Sequence, residues 1–104
     1  MVVVIFRSRL RDEFLEEYRE LAPKMLTIAR SMPGFISFKS FVAEDGERVS
    51  IIEFEDLEAV KVWRNHPEHR EAQILGRDKF YAEYHLQVCD PVRAYAFKDG
   101  VYVD

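Results

Sequence analysis

The sequence of 104 residues predicts an α+β fold, an antiparallel sheet with its helices gathered on one face. Three observations lead there. Segments rich in β-branched and aromatic residues are separated by stretches with a helical period. Two of the strand-like segments, 35–42 and 48–55, are joined by so short a loop that they must run antiparallel. With no linker, internal repeat or low-complexity tract, a chain of this length forms one domain over 1–104 around one core.

The elements follow in order. "MVVVIFRSRL" (1–10) is β-branched and bounded by charge, hence strand one. Its apolar residues run together instead of alternating with polar ones, which predicts a strand covered on both faces. Over 11–32 the period becomes helical: Phe14, Tyr18, Leu21, Met25, Ile28 and Met32 recur at steps of four and three, and Leu15, Ala22 and Ala29 widen the stripe. Pro23 within that stripe predicts a kink, because the pattern continues beyond it. "FISFKSFV", "EDGE" and "RVSIIEFE" then read as a hairpin, with Asp45-Gly46 supplying a turn with positive φ.

A short helix over 56–63 follows, with Asp56 as N-cap. A second helix over 65–80 has Pro67 in its first turn, Asn65 as N-cap and Glu68 three residues on, the spacing of a capping box. Residues 81–97 form a long strand bent or broken at Asp90-Pro91, and "KDG" turns the chain into a final short strand, "VYVD". The order β-α-β-β-α-α-β plus a terminal hairpin fits a ferredoxin-like split βαβ plan. Such a plan leaves one sheet face bare. The eight Phe, five Tyr and one Trp predict an aromatic share on that face, and a second copy as its cover, giving a dimeric α+β barrel.

Composition excludes several classes. A net charge of −4 and a pI near 5.4 offer no basic face for nucleic acid. The apolar run 2–6 is too short for a signal peptide or a membrane span. One cysteine, Cys89, excludes an intrachain disulfide and fits a reducing cytoplasm, and it has no evident base beside it. His66 and His69 are two metal ligands at most, so no metal site is expected. The four glycines are scattered, with no phosphate-cradling loop and no flavin or nicotinamide fingerprint, so no cofactor is expected.

"PGF" at 33–35, Phe54, Asp56, Glu58, Ala59 and Trp63 in "F.D.EA...W", and "HPEH" at 66–69 together resemble the antibiotic biosynthesis monooxygenase domain family of dimeric α+β barrels. The resemblance covers essentially the whole chain and is closest to small stand-alone bacterial members. It implies the fold above and a homodimer. On activity it leaves a choice, since the family holds quinone-forming oxygenases, haem degraders and proteins with no known activity. Cofactor-free oxygenases of the family oxidise polycyclic phenols in a pocket between sheet and helices, where the substrate anion reduces dioxygen. Haem-degrading members use an asparagine on strand one, a tryptophan, and an axial histidine ten residues after it. Here Trp63 stands, but Gln73 occupies the axial position and strand one offers Arg7, Ser8 and Arg9. The haem-degrading set is therefore broken at two of three positions.

On a helix, His69, Ala72, Gln73, Gly76 and Phe80 share one face, while Arg70, Glu71, Arg77 and Asp78 lie on a solvated one. His69 and Gln73 are thus expected toward the sheet, beside small residues that leave room for a small apolar or aromatic molecule. His69 and His66 are the candidate catalytic residues, since an imidazole can take a proton from a phenol near neutral pH. Trp63, Gln73, Phe80 and Tyr84 are the candidate substrate contacts, Trp63 as a flat wall. Each has a structural alternative: Trp63 as a core plug, His66 as a helix-start residue, His69 as a quiet buried histidine. His85, out of phase with Tyr84, Leu86 and Val88, is expected on the opposite sheet face.

Three functions are consistent with these residues. The first is a cofactor-independent monooxygenase acting on a small aromatic or phenolic compound. The second is a non-catalytic dimeric module that binds a small ligand or serves structurally. The third is haem binding without degradation, through His66 or His69. The first two part on whether His69 faces an open cavity or a filled core.

Overall fold

A computed structural model describes residues 1–103. The first strand, β1 (Val2–Leu10), leads through a 3-10 turn (Asp12–Phe14) into the long helix α1 (Leu15–Ser31). The hairpin β2 (Phe35–Val42) and β3 (Arg48–Phe54) precedes two short helices, α2 (Leu57–Arg64) and α3 (Pro67–Leu75). A π-helical turn (Gly76–Phe80) delivers the chain to β4 (Tyr81–Cys89), and a two-stranded hairpin, β5 (Ala96–Lys98) and β6 (Val101–Val103), ends it. The main sheet is antiparallel in the order β2-β3-β1-β4, the ferredoxin-like arrangement that the split βαβ reading predicts.

Strand periodicity sorts the side chains onto two faces. Val4, paired between Ile52 and Val88, and Phe6, between Ser50 and Leu86, point to the helix side. There Val4, Ile52, Phe54, Ala29, Val60 and Trp63 form the buried core. Val3, Ile5, Arg7, Val49 and Ile51 belong to the other face, which no helix covers. The α1 stripe is as the period predicts, since all nine of its apolar residues are buried or half-buried.

Several expectations are corrected. The bare face is not aromatic: of the aromatic strand residues only Phe41 has its register, amid Lys39, Arg7, Gln87 and Glu53. The aromatics instead surround the space between helices and sheet, or sit on the terminal hairpin. β1 is central, yet within one chain only its even positions are covered, as the burial of Val4 and Ser8 shows. The 65–80 helix ends at Leu75, where Gly76 begins the π turn. The strand over 81–97 breaks at Asp90-Pro91, as expected, stopping at Cys89, but it resumes at Ala96 in a separate sheet. The central loop holds three residues, with Ala43 and Glu47 paired across it, and of Asp45-Gly46 only Gly46 has positive φ.

Candidate functional site

Between the helical layer and the sheet lies a cavity of about 410 Å³, within the range of small-molecule sites. Its floor is the even face of β1, β3 and β4, and α1 walls one side with Tyr18, Leu21, Ala22 and Met25. The far wall is α2, α3 and the π turn, which bring Trp63, His69, Gln73 and Phe80 to the same space. β4 is an edge strand with little above it, so Tyr84 and Leu86 line the cavity while staying well exposed. The cavity is therefore open along β4.

The corner between α2 and α3 sets the site. Asp56 caps α2 by accepting from the Ala59 amide at 2.8 Å, as its side-chain type predicts. The cap of α3 is His66 and not Asn65: its Nδ1 accepts the Glu68 amide at 3.2 Å, and Asn65 instead closes α2. His66 does not line the cavity, so the corner spends this imidazole on the helix start and turns it away from the ligand space. One turn later His69 faces inward and stacks on Trp63, with ring centroids 4.2 Å apart and planes 28° apart. Gln73, a further helical turn on, reaches His69 Nδ1 with its Nε2 at 3.1 Å and the Arg64 carbonyl at 3.5 Å. Burial lowers the His69 pKa, against the Arg64 carbonyl and with help from His66, so the ring is neutral at pH 7.

Trp63 is both plug and wall. It is 8% exposed, belongs to the core cluster and sits 5.3 Å from Phe54, yet it also lines the cavity. Its indole N–H is sealed within the packing with no acceptor among the described residues. Phe80 is buried edge-on against Tyr18, and Tyr84 packs beside Phe6 at 5.4 Å.

Two features were out of reach of helical spacing. Arg77, placed on the solvated face by a 3.6-residue period, lines the cavity: the wider π turn rotates it relative to an α-helix. Tyr81, the last ring of the aromatic wall, stands over Gly76, where a Cβ would come within 2.7 Å of it. Burial pushes its phenol far above the ordinary value, so it stays protonated. His85 is paired with Arg7 on the opposite face and is exposed, as its phase predicts. Among the described residues no three His, Cys, Asp or Glu side chains group as a metal site, and no helix is long and apolar enough to cross a membrane.

Known proteins of this shape share the layout. Rv0793 of Mycobacterium tuberculosis superposes with a TM-score of 0.79 at 22% identity, over 89% of this chain and 96% of that one. SnoaB of Streptomyces nogalater, a cofactor-independent oxygenase, does so with a TM-score of 0.75 at 14% identity, over 89% and 94%. In sequence, the uncharacterized protein YqjZ of Bacillus subtilis is 31% identical over 97 residues, which is 93% of this chain and 84% of that protein. Residues 1–74 match the family described as antibiotic biosynthesis monooxygenase, a span that runs from β1 through the α2–α3 corner with Trp63, His69 and Gln73. By sequence and by fold, the chain belongs to the antibiotic biosynthesis monooxygenase family.

Proposed function

We propose that the protein is a cofactor-independent monooxygenase that oxidises a small aromatic or phenolic compound in the cavity between helices and sheet. The carrying observation is a largely apolar space walled by Phe6, Trp63, Phe80, Tyr81 and Tyr84, with a hydrogen-bonded polar pair, His69 and Gln73, at its edge. Flat apolar walls favour a flat apolar body, and the polar pair orients its oxygen. Without a bound cofactor the substrate must supply every electron. A methylene activated by neighbouring phenol rings meets that demand. Once it is deprotonated, its anion reduces dioxygen, one oxygen atom becomes the new carbonyl, and the other leaves as water with the two hydrogens. The protein's part is to hold the anion against apolar walls and stabilise its charge. SnoaB, whose fold this chain shares, carries out cofactor-independent oxygenation.

A second copy belongs to this reading. A monomeric protein of 12.3 kDa is expected to expose about 6,100 Å², whereas this chain exposes 7594 Å². The radius of gyration, 15.0 Å, likewise exceeds the ~13 Å expected for the length. Both excesses come from the bare sheet face and from the terminal hairpin, whose Tyr95, Phe97, Val101 and Tyr102 are all exposed. Cover by a partner chain buries the surplus surface. The single free cysteine suits a reducing cytoplasm as the site of action.

Oxygen uptake with an anthrone-type substrate tests the activity. Loss of one hydrogen bond to a charged oxygen costs about 1.5–3 kcal/mol, so His69→Ala is expected to slow uptake tenfold to a hundredfold while the protein stays folded. Unchanged uptake by folded His69→Ala protein refutes the role given to His69. No uptake by wild-type protein across a broad phenol panel leaves the non-catalytic ligand-binding module.

A further inference from the structure

Which nitrogen of His69 carries the proton decides what the site can recognise. A neutral imidazole has one N–H and one bare nitrogen, and the partner of one nitrogen fixes the character of the other. Here the partner is Gln73, four residues along α3, whose Nε2 lies 3.1 Å from Nδ1. The same Nε2 lies 3.5 Å from the Arg64 carbonyl oxygen, which can only accept. An amide turned the other way would set two oxygens against each other, so the carbonyl orients the amide, and the amide N–H is donated to Nδ1. The proton of the neutral ring is then on Nε2. That nitrogen forms no hydrogen bond among the described residues, and it is not sealed, because Trp63 Nε1 is the only buried side-chain polar atom without a partner among them. His69 lines the cavity, so Nε2–H is the polar edge that it has left to offer a ligand there.

The charges around the cavity agree with a donor in that position. Among the described residues Lys61, Arg64 and Arg77 line it and no aspartate or glutamate does, although the whole chain is acidic at −4. None of the three cations takes part in an ion pair among the described residues. A cavity with apolar walls, a cationic rim and an aimed N–H fits a flat apolar body carrying a negatively charged oxygen.

We propose that Gln73 is a positioning residue that holds His69 as its Nε2–H tautomer, so that the site receives an aromatic anion, phenolate or carboxylate, through a donated hydrogen bond. This rests on the cavity being the substrate site of the reading above, but not on oxygen chemistry. It also changes the part played by His69. The imidazole stabilises the substrate anion as a donor and does not take the proton.

Long-range proton–nitrogen correlation spectra of 15N-labelled protein at pH 7.5 read the tautomer directly, with the His69 signals assigned by their loss in His69→Gln. Wild-type protein is expected to show a protonated Nε2 and a bare Nδ1. Gln73→Glu, nearly the same shape but only an acceptor, is expected to pull the proton to Nδ1 and reverse the pattern. Binding is then measured by calorimetry with 2-naphthoate and with uncharged 2-methoxynaphthalene. The anion is expected to bind wild-type protein about tenfold more tightly, with the preference lost in Gln73→Glu. A protonated Nδ1 in the wild type, or equal affinity for the two probes, overturns the proposal. Failure of the activity looks different: no oxygen uptake together with the expected tautomer and anion preference removes the monooxygenase and leaves this site intact.

Discussion

Replacing Gly76 by alanine isolates the least forgiving contact of the cavity wall. The backbone at Gly76 is ordinary helix, φ −58° and ψ −50°, so a side chain is allowed there in principle. Taken alone, alanine in place of glycine inside a helix stabilises by about 1 kcal/mol. The space is the obstacle: a Cβ at this position meets Tyr81 Cε2 at 2.7 Å and Cδ2 at 2.9 Å, where ordinary contact begins near 3.4 Å. The ring must give by more than half an ångström, and it is held by edge contacts with Phe6 at 5.4 Å and Tyr18 at 6.1 Å. Overpacking of this kind costs about 1–3 kcal/mol, so the clash outweighs the helix gain by roughly 1 kcal/mol. At fixed protein concentration the thermal midpoint is expected to fall by about 4–8 °C. Tyr81 lines the cavity, so 2-naphthoate affinity is expected to fall with it. Calorimetry on Gly76→Ala, Tyr81→Leu and the double variant separates the terms. If the clash is the cause, the double variant is more stable than the sum of the two changes by at least 0.5 kcal/mol. A Gly76→Ala protein more stable than wild type, or strictly additive changes, refutes the packing argument.

Light scattering behind a sizing column is expected to give twice the 12.3 kDa chain mass at low micromolar concentration, and Ile5→Glu on the bare face to shift it toward monomer; a wild-type monomer refutes the pairing. The His69 pKa is lowered by burial, so the unfolded chain binds the extra proton first. The stability from neutral His69 is complete above about pH 6.5 and is lost as pH falls toward the lower folded value, so acidification to pH 5.5 should cost wild-type protein more than His69→Gln; equal losses contradict the burial account. Haemin is not expected to be degraded, because the residue ten after Trp63 is Gln73, an amide engaged with His69 and Arg64. Loss of the haem absorption band with iron release, under reductant and air with catalase present, contradicts this.

How much of this was legible in the sequence depended on whether a regular period held. The α1 stripe and the alternation of Tyr84, Leu86 and Val88 against His85 could be read directly, because each belongs to an uninterrupted helix or strand. The inward face of α3 was legible for the same reason, and it brought His69 and Gln73 toward one space. What broke the period was not legible. The π turn at Gly76–Phe80 carries Arg77 into the cavity, and spacing alone put it in solvent. His66 and Asn65 are adjacent polar residues before Pro67, and either could cap α3; the structure gives that role to the imidazole. The aromatics were assigned to the bare face by count, but Phe35, Phe38 and Phe54 take the phase of Val4 and Ile52. The wall formed by Tyr81 depends on a missing Cβ 2.7 Å away, a contact that no pattern within one segment announces.

The most direct test of the oxygenase account is isotopic. Wild-type protein treated with chelator and shown free of absorbing cofactors is incubated with 1,8-dihydroxyanthrone under 18O-labelled dioxygen, with Ala72→Phe, which fills the cavity, as the control for spontaneous oxidation. The account predicts one labelled oxygen in the new carbonyl of the product, one dioxygen consumed per substrate, no hydrogen peroxide, and a rate far above that of the filled variant. Unlabelled product, or oxidation at the same rate in wild-type and Ala72→Phe protein, would contradict it.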